Sequence, residues 1–256
     1  MYKRQSNAYV VGTNAASGNF IRAFRPDLST YWTLDIGSDA ITNEINSDVT
    51  RAYTFVPVGA GGGGIYGLDL SVAPVGGLPP KPAGWPTQKI LSGVMFRSQC
   101  RTPFGWPVAQ TRLLCGSSTG TLYALDQATG STVATASVTG SIQSVLPVSN
   151  AAGVIIYSTR SGRVGRMHFD GTAFTSTFEV TVPGAVVVST PVFVNSRNAI
   201  YVGANGALHK LDSLTGAPVA SRTLDGLQVS EVGFDAFSGT LFVETSAGTI
   251  WGVPFF

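Results

Sequence analysis

Apolar residues fall along this chain in short runs punctuated by glycine. Six runs stand out: Tyr9-Val-Val-Gly-Thr13, Phe55-Val-Pro-Val58, Leu113-Leu-Cys-Gly116, Val154-Ile-Ile-Tyr-Ser158, Ile200-Tyr-Val-Gly203 and Leu241-Phe-Val-Glu244. Each precedes a glycine that opens a second run: Gly18-Asn-Phe-Ile-Arg-Ala, Gly64-Ile-Tyr-Gly-Leu-Asp69, Gly120-Thr-Leu-Tyr-Ala-Leu-Asp126, Gly162-Arg-Val-Gly-Arg-Met, Gly206-Ala-Leu-His-Lys-Leu-Asp212 and Gly248-Thr-Ile-Trp-Gly-Val. A short extended run, a turn that uses glycine for positive φ, and a second run make a β-hairpin. The hairpins are expected near residues 9–25, 54–70, 111–126, 153–169, 199–212 and 240–253.

The glycines stand at 18, 64, 120, 162, 206 and 248, so the intervals are 46, 56, 42, 44 and 42 residues. Further runs before the hairpins (Ser141 to Val148, Val186 to Phe193, Gln228 to Phe234) and after them (Ser131 to Val138) raise each unit to about four strands. Four antiparallel strands every ~40 to 45 residues is the period of a β-propeller blade. The runs alternate poorly between apolar and polar, as strands covered on both faces do. The expected fold class is therefore an all-β propeller of four-stranded antiparallel blades with about six recognisable repeats, forming a ring or an open arc. With strands named A to D from the axis outward, the first unit starts at B and the last stops after C. That pattern predicts a propeller truncated at its N-terminus. Met1-Tyr-Lys-Arg-Gln5 reads as a non-native leader, the translation of a transposon end used in library preparation, so the single domain is expected over 6–256 of a metagenomic sequence.

Composition narrows the classes of partner. Of 256 residues, 44% are hydrophobic, enough for a sizeable core, and 12% are charged, about half the usual share. A net charge of +2 gives no nucleic-acid footprint. No apolar run reaches the ~18 to 20 residues of a membrane span.

Two motifs lose their chemistry in this register. Gly59-x-Gly61-x-x-Gly64 has dinucleotide-binding spacing, but Ile65 to Leu70 is strand-like rather than a helix start, and residues 76–90 hold no acid for a ribose. Gly116-x-Ser118-x-Gly120 has nucleophile-elbow spacing, yet it lies on a strand-turn-strand. The only imidazoles, His168 and His209, sit in other units. Two His and two Cys without short spacing make no zinc site, and no calcium loop is present. No catalytic, cofactor-binding or metal-binding residue is therefore assigned.

Leu-Tyr-Ala-Leu-Asp-x-x-Thr-Gly at Leu122 to Gly130, echoed by His209 to Gly216, resembles the pyrroloquinoline quinone (PQQ)-like propeller repeat. The resemblance is strong from about residue 110 onward and looser before it. Family members place a docking Trp four residues after the Thr-Gly, where this chain has Ala134 and Ala220. The resemblance implies a non-enzymatic scaffold or binding module of an exported bacterial protein, in the periplasm, at the surface or secreted, meeting a protein or cell-surface component and holding no cofactor. One alternative is part of a PQQ-dependent alcohol or sugar dehydrogenase, which would bring PQQ and calcium, although the adjacent cysteine pair of those enzymes is absent. A carbohydrate-binding propeller is the other. It would need paired carboxylates at the axis, whereas Asp126 and Asp212 fall at the repeated turn, where Asp caps backbone N–H groups.

Two insertions lengthen the 56-residue interval: Val72 to Gly84, a C-to-D loop, and Arg101 to Val108, an A-to-B loop on the same rim. In the second, Phe104 and Trp106 either present aromatic area to a partner or cover the blade ends. Trp32 and Trp85 are expected in the core. Cys100 and Cys115 flank that loop symmetrically and are either a disulfide or two buried thiols.

Overall fold

In the computed structural model, the residues described are 9–15, 18–41, 44–48, 52–103, 106, 111–148, 151–226 and 228–256. They form six antiparallel sheets on a four-strand plan, each a blade whose strands follow one another in sequence. Blade 1 contains β1 (Tyr9–Ala15), β2 (Gly18–Phe24) and β3 (Thr30–Gly37). Blade 2 contains β4 (Asn46–Asp48), β5 (Tyr53–Val58), β6 (Gly64–Asp69) and β7 (Lys89–Ile90). Blade 3 contains β8 (Arg112–Gly116), β9 (Thr121–Asp126) and β10 (Thr132–Ser137), its inner position held by the bridges Phe96↔Ser117 and Arg101↔Leu114.

Blade 4 contains β11 (Ile142–Pro147), β12 (Val154–Thr159), β13 (Arg163–Phe169) and β14 (Phe174–Thr181). Blade 5 contains β15 (Val192–Val194), β16 (Ala199–Ala204), β17 (Ala207–Asp212) and β18 (Pro218–Thr223). Blade 6 contains β19 (Val229–Asp235), β20 (Thr240–Thr245) and β21 (Ile250–Pro254). Among the described residues, blade 1 has no inner strand and blade 6 no outer one.

The hairpins follow from turn chemistry. Asn205 (φ 46°) and Gly206 (φ 71°) occupy the left-handed region that a two-residue turn requires. After β9 and β17, Asp126 and Asp212 accept backbone N–H bonds from residues two and three positions on, at 2.8–3.0 Å. Those carboxylates close turns.

Burial explains the weak alternation in the sequence. Every residue of β6, β12 and β16 is buried, because a blade covers each face. By contrast β20 alternates buried with exposed, because only one of its faces is covered. Five apolar clusters join blade 1 to 2, 2 to 3, 3 to 4, 4 to 5 and 5 to 6. None joins blade 6 to blade 1 among the described residues, so the blades form an open arc.

Candidate functional site

The ends of β11, β15 and β19, inner strands of three consecutive blades, border a cavity of about 670 Å³. Leu146, Phe193, Val194 and Phe234 make its wall apolar, Pro147 and Pro191 fix its backbone, and Thr190, Asn195 and Ser196 contribute its polar groups. Phe234 keeps 48% of its surface exposed. A concave, largely apolar site with few convergent polar groups is what recognition of an apolar ligand group calls for.

No described residue bordering this cavity carries charge. PQQ is a polyanion that calcium helps to seat, so the residues present do not fit it. The two cysteines also differ from the pair that the dehydrogenase alternative calls for: they are 15 positions apart and joined to each other, Sγ–Sγ 2.10 Å. Cys100 and Cys115 lie across the ladder beside the Arg101↔Leu114 bridge and are fully buried. Closing a loop of this size restricts the unfolded chain, so reduction is expected to lower stability by about 3 kcal/mol. Thermal unfolding with and without reductant, compared with a Cys100→Ala/Cys115→Ala variant, checks this. The reductant should lower the midpoint of the parent only.

The structure withdraws Trp106 from the surface. It is 1% exposed, packed between blades 3 and 4, and its indole N–H donates to the Val148 carbonyl at 2.8 Å. The physical reason is that its ring is taken up in the apolar cluster of Leu114, Ile142 and Tyr157, where the indole N–H also finds a carbonyl partner. Phe104 lies outside the described residues. Trp85, directly after the other insertion, behaves in the same way: it is 1% exposed, stacks on Phe55 and donates to the Gln127 carbonyl of blade 3 at 2.9 Å. Trp32 is also in the core at 3%. Trp85 and Trp106 therefore each tie their blade to the following one. Ser118, in the β8–β9 turn, and His168 and His209, on strands of blades 4 and 5, are not brought together.

A buried polar knot between blades 1 and 2 has no counterpart in any sequence motif. Asp39 Oδ2 accepts from Lys89 Nζ at 2.7 Å and from the Tyr66 hydroxyl at 2.8 Å, while its Oδ1 accepts from the Gly62 N–H at 2.7 Å. Burial pushes the Asp39 carboxyl up, but the bonds from Lys89, Tyr66 and Gly62 outweigh it and hold the group below the ordinary carboxylate value. Burial, then the Asp39 carboxylate, push the Tyr66 phenol up. The glycine-rich stretch thus does cradle an anion, which is the chain's own Asp39. It also lies against backbone, since a Cβ on Gly61 would sit 2.3 Å from the Ser38 carbonyl oxygen.

Glu179 repeats this arrangement between blades 3 and 4, accepting from Tyr157 (2.8 Å) and the Thr139 N–H (3.1 Å) and pairing with Arg163. Sequence separations of 16 to 50 residues hid both knots.

No protein-family model matches the chain, and a search among curated proteins finds no match. Solved structures do resemble it. The WD40 domain of Toxoplasma gondii coronin superposes with a TM-score of 0.70 at 13% identity, over 97% of this chain and 68% of that one. The computationally designed Ika8 protein gives 0.68 at 13% identity, over 99% and 70%. BamB from Moraxella catarrhalis gives 0.52 at 16% identity, over 83% and 64%. This chain therefore spans roughly two thirds of each, and the likeness establishes the fold: an all-β propeller architecture. No helix among the described residues is long and apolar enough to cross a membrane.

Proposed function

We propose that this chain is a non-enzymatic propeller scaffold of an exported bacterial protein, and that it binds a protein or cell-surface component through the axial mouth of blades 4 to 6. The observation that carries this reading is the uncharged, aromatic-lined cavity of about 670 Å³ at the inner-strand ends. Prolines in its wall favour binding, because they leave little conformational freedom to lose. The neighbours that share the fold, a WD40 domain and BamB, support a module of this general kind. The chemistry of the wall selects the ligand: an apolar or aromatic side chain on an uncharged segment.

Selection from a displayed peptide library against the whole chain tests this. The selected peptides should carry aromatic or branched apolar residues. Phe234→Ser should weaken their binding by about tenfold or more, as expected for a central aromatic contact. Val219→Ser, on the exposed outer strand β18, should leave binding unchanged. Peptides that ignore Phe234→Ser while the variant keeps the parent's unfolding midpoint would remove the mouth from the account. Quinone-dependent alcohol oxidation after addition of PQQ and calcium would replace the reading with the dehydrogenase alternative.

A further inference from the structure

The two ends of the arc carry uncovered faces of opposite character. Direct antiparallel partners share a face, so the ladder of blade 6 places Glu231, Glu244 and Ile250 in one row, and Gly233, Phe242 and Gly252 in the next. This face points away from blade 5, against which Leu241, Val243 and Val253 pack. Phe242 is 47% and Ile250 70% exposed, whereas their counterparts in blade 5, Tyr201 and Leu208, are fully buried against blade 6. Glu231 and Glu244 are both exposed and directly opposed across the ladder, a like-charge pairing that destabilises a sheet. Neither makes an ion pair among the described residues.

On blade 1, the face turned away from blade 2 pairs Val11 with Arg22 and Thr13 with Phe20. The Arg22 guanidinium lies over the Phe20 ring at 4.9 Å, and its buried Nε has no hydrogen-bond partner. Arg22 makes no ion pair among the described residues. Asp35, beside Phe20 in the ladder, is occupied in accepting the Gly37 N–H.

Blade 6 also differs from other blades at one position of its outer face. In blades 3 and 5 a glycine near the end of the second strand receives the first residue of the next blade's inner strand, and in blade 1 Gly12 of β1 receives Ile41, which precedes blade 2's inner strand. A Cβ on Gly12, Gly116 or Gly203 would meet Ile41, Ile142 or Val229 at 2.5, 2.3 and 2.1 Å. Blade 6 has Glu244 at this position, so its outer face presents a carboxylate where blades 1, 3 and 5 have a glycine.

From this complementarity of charge between two exposed faces we infer that a second copy of this chain docks head to tail, the outer face of its blade 1 covering the outer face of blade 6. Glu231 and Glu244 then meet Arg22 of the neighbouring copy, and Phe242 and Ile250 meet Val11 and Phe20. Such an interface is heterologous, so it propagates unless rotation closes it.

Light scattering on the whole chain across a concentration series tests the inference. The expected result is concentration-dependent assembly that weakens with salt. Glu244→Arg and Arg22→Glu should each raise the dissociation constant by about tenfold or more through like-charge contact. Mixing the two variants should restore assembly, because each end again finds an opposite charge. Val219→Ser, outside both faces, should assemble like the parent. A chain that stays monomeric at every concentration, whether the arc remains open or closes on itself, overturns the inference, as does assembly that neither charge reversal affects. Circular dichroism on each variant separates loss of assembly from loss of fold: an unfolded single variant would not be rescued by its mixing partner.

Discussion

Replacing Trp85 with alanine is expected to lower folding stability by about 3 to 5 kcal/mol, the range for truncating a fully buried large aromatic side chain. The ring is wedged between blades 2 and 3. It stacks on Phe55 with centroids 5.9 Å apart and touches the backbone so closely that a Cβ on Gly67 would lie 2.6 Å from it. Its removal leaves a cavity and also orphans the Gln127 carbonyl that its indole N–H satisfies. Trp85→Phe should recover part of the packing and none of the hydrogen bond, placing it between alanine and the parent. Urea unfolding of the three proteins measures the order, and an alanine variant within about 1 kcal/mol of the parent would contradict the wedge role.

Asp39→Ala is expected to cost a comparable amount, about 3 to 5 kcal/mol, because it strands a charge and two further donors in a buried site. The Asp39 side chain is 5% exposed and that of Lys89 24%. Lys89→Met should be no milder: it leaves the more buried carboxylate with Tyr66 and Gly62 but without its counter-ion. The pH dependence follows from the direction of the shifts. The native carboxyls of Asp39 and Glu179 both lie below their ordinary values. For Glu179, burial again opposes, and the bonds from Thr139 and Tyr157 and the Arg163 charge prevail. The stability they contribute is fully present above the unfolded carboxylate range of about pH 4 and is lost as pH falls through the depressed native values. Denaturation midpoints between neutrality and strong acid should fall more gently for Asp39→Ala than for the parent. Parallel curves would show that Asp39 is not among the groups responsible.

The fold was readable in the sequence because it is periodic. A glycine every 42 to 56 residues between paired apolar runs fixes the hairpins, and a blade cannot hide that spacing. Asp126 and Asp212 were equally legible, because an Asx turn is a local device that closes within three residues.

What lay between blades was harder to read. Blades 2 and 3 are wedged together by Trp85, which directly follows an inserted loop. No local pattern reports where a proline-rich loop folds. Trp106 shows the same limit from the other side: in the sequence it either faces a partner or covers a blade end, and only the structure places its indole against the Val148 carbonyl. The axial mouth draws Leu146, Phe193 and Phe234 from three units, and each reads as an ordinary strand residue in its own unit. The Asp39 knot is assembled across a blade boundary from residues that share no motif.

The central claim is that this propeller recognises its partner at the axial mouth. Hydrogen exchange of the whole chain, with and without a peptide selected against it, tests that claim most directly. The account predicts protection concentrated at 146–148, 190–196 and 232–236, where the inner strands of blades 4, 5 and 6 end. Protection confined to the outer strands Thr132–Ser137, Phe174–Thr181 and Pro218–Thr223 would contradict it.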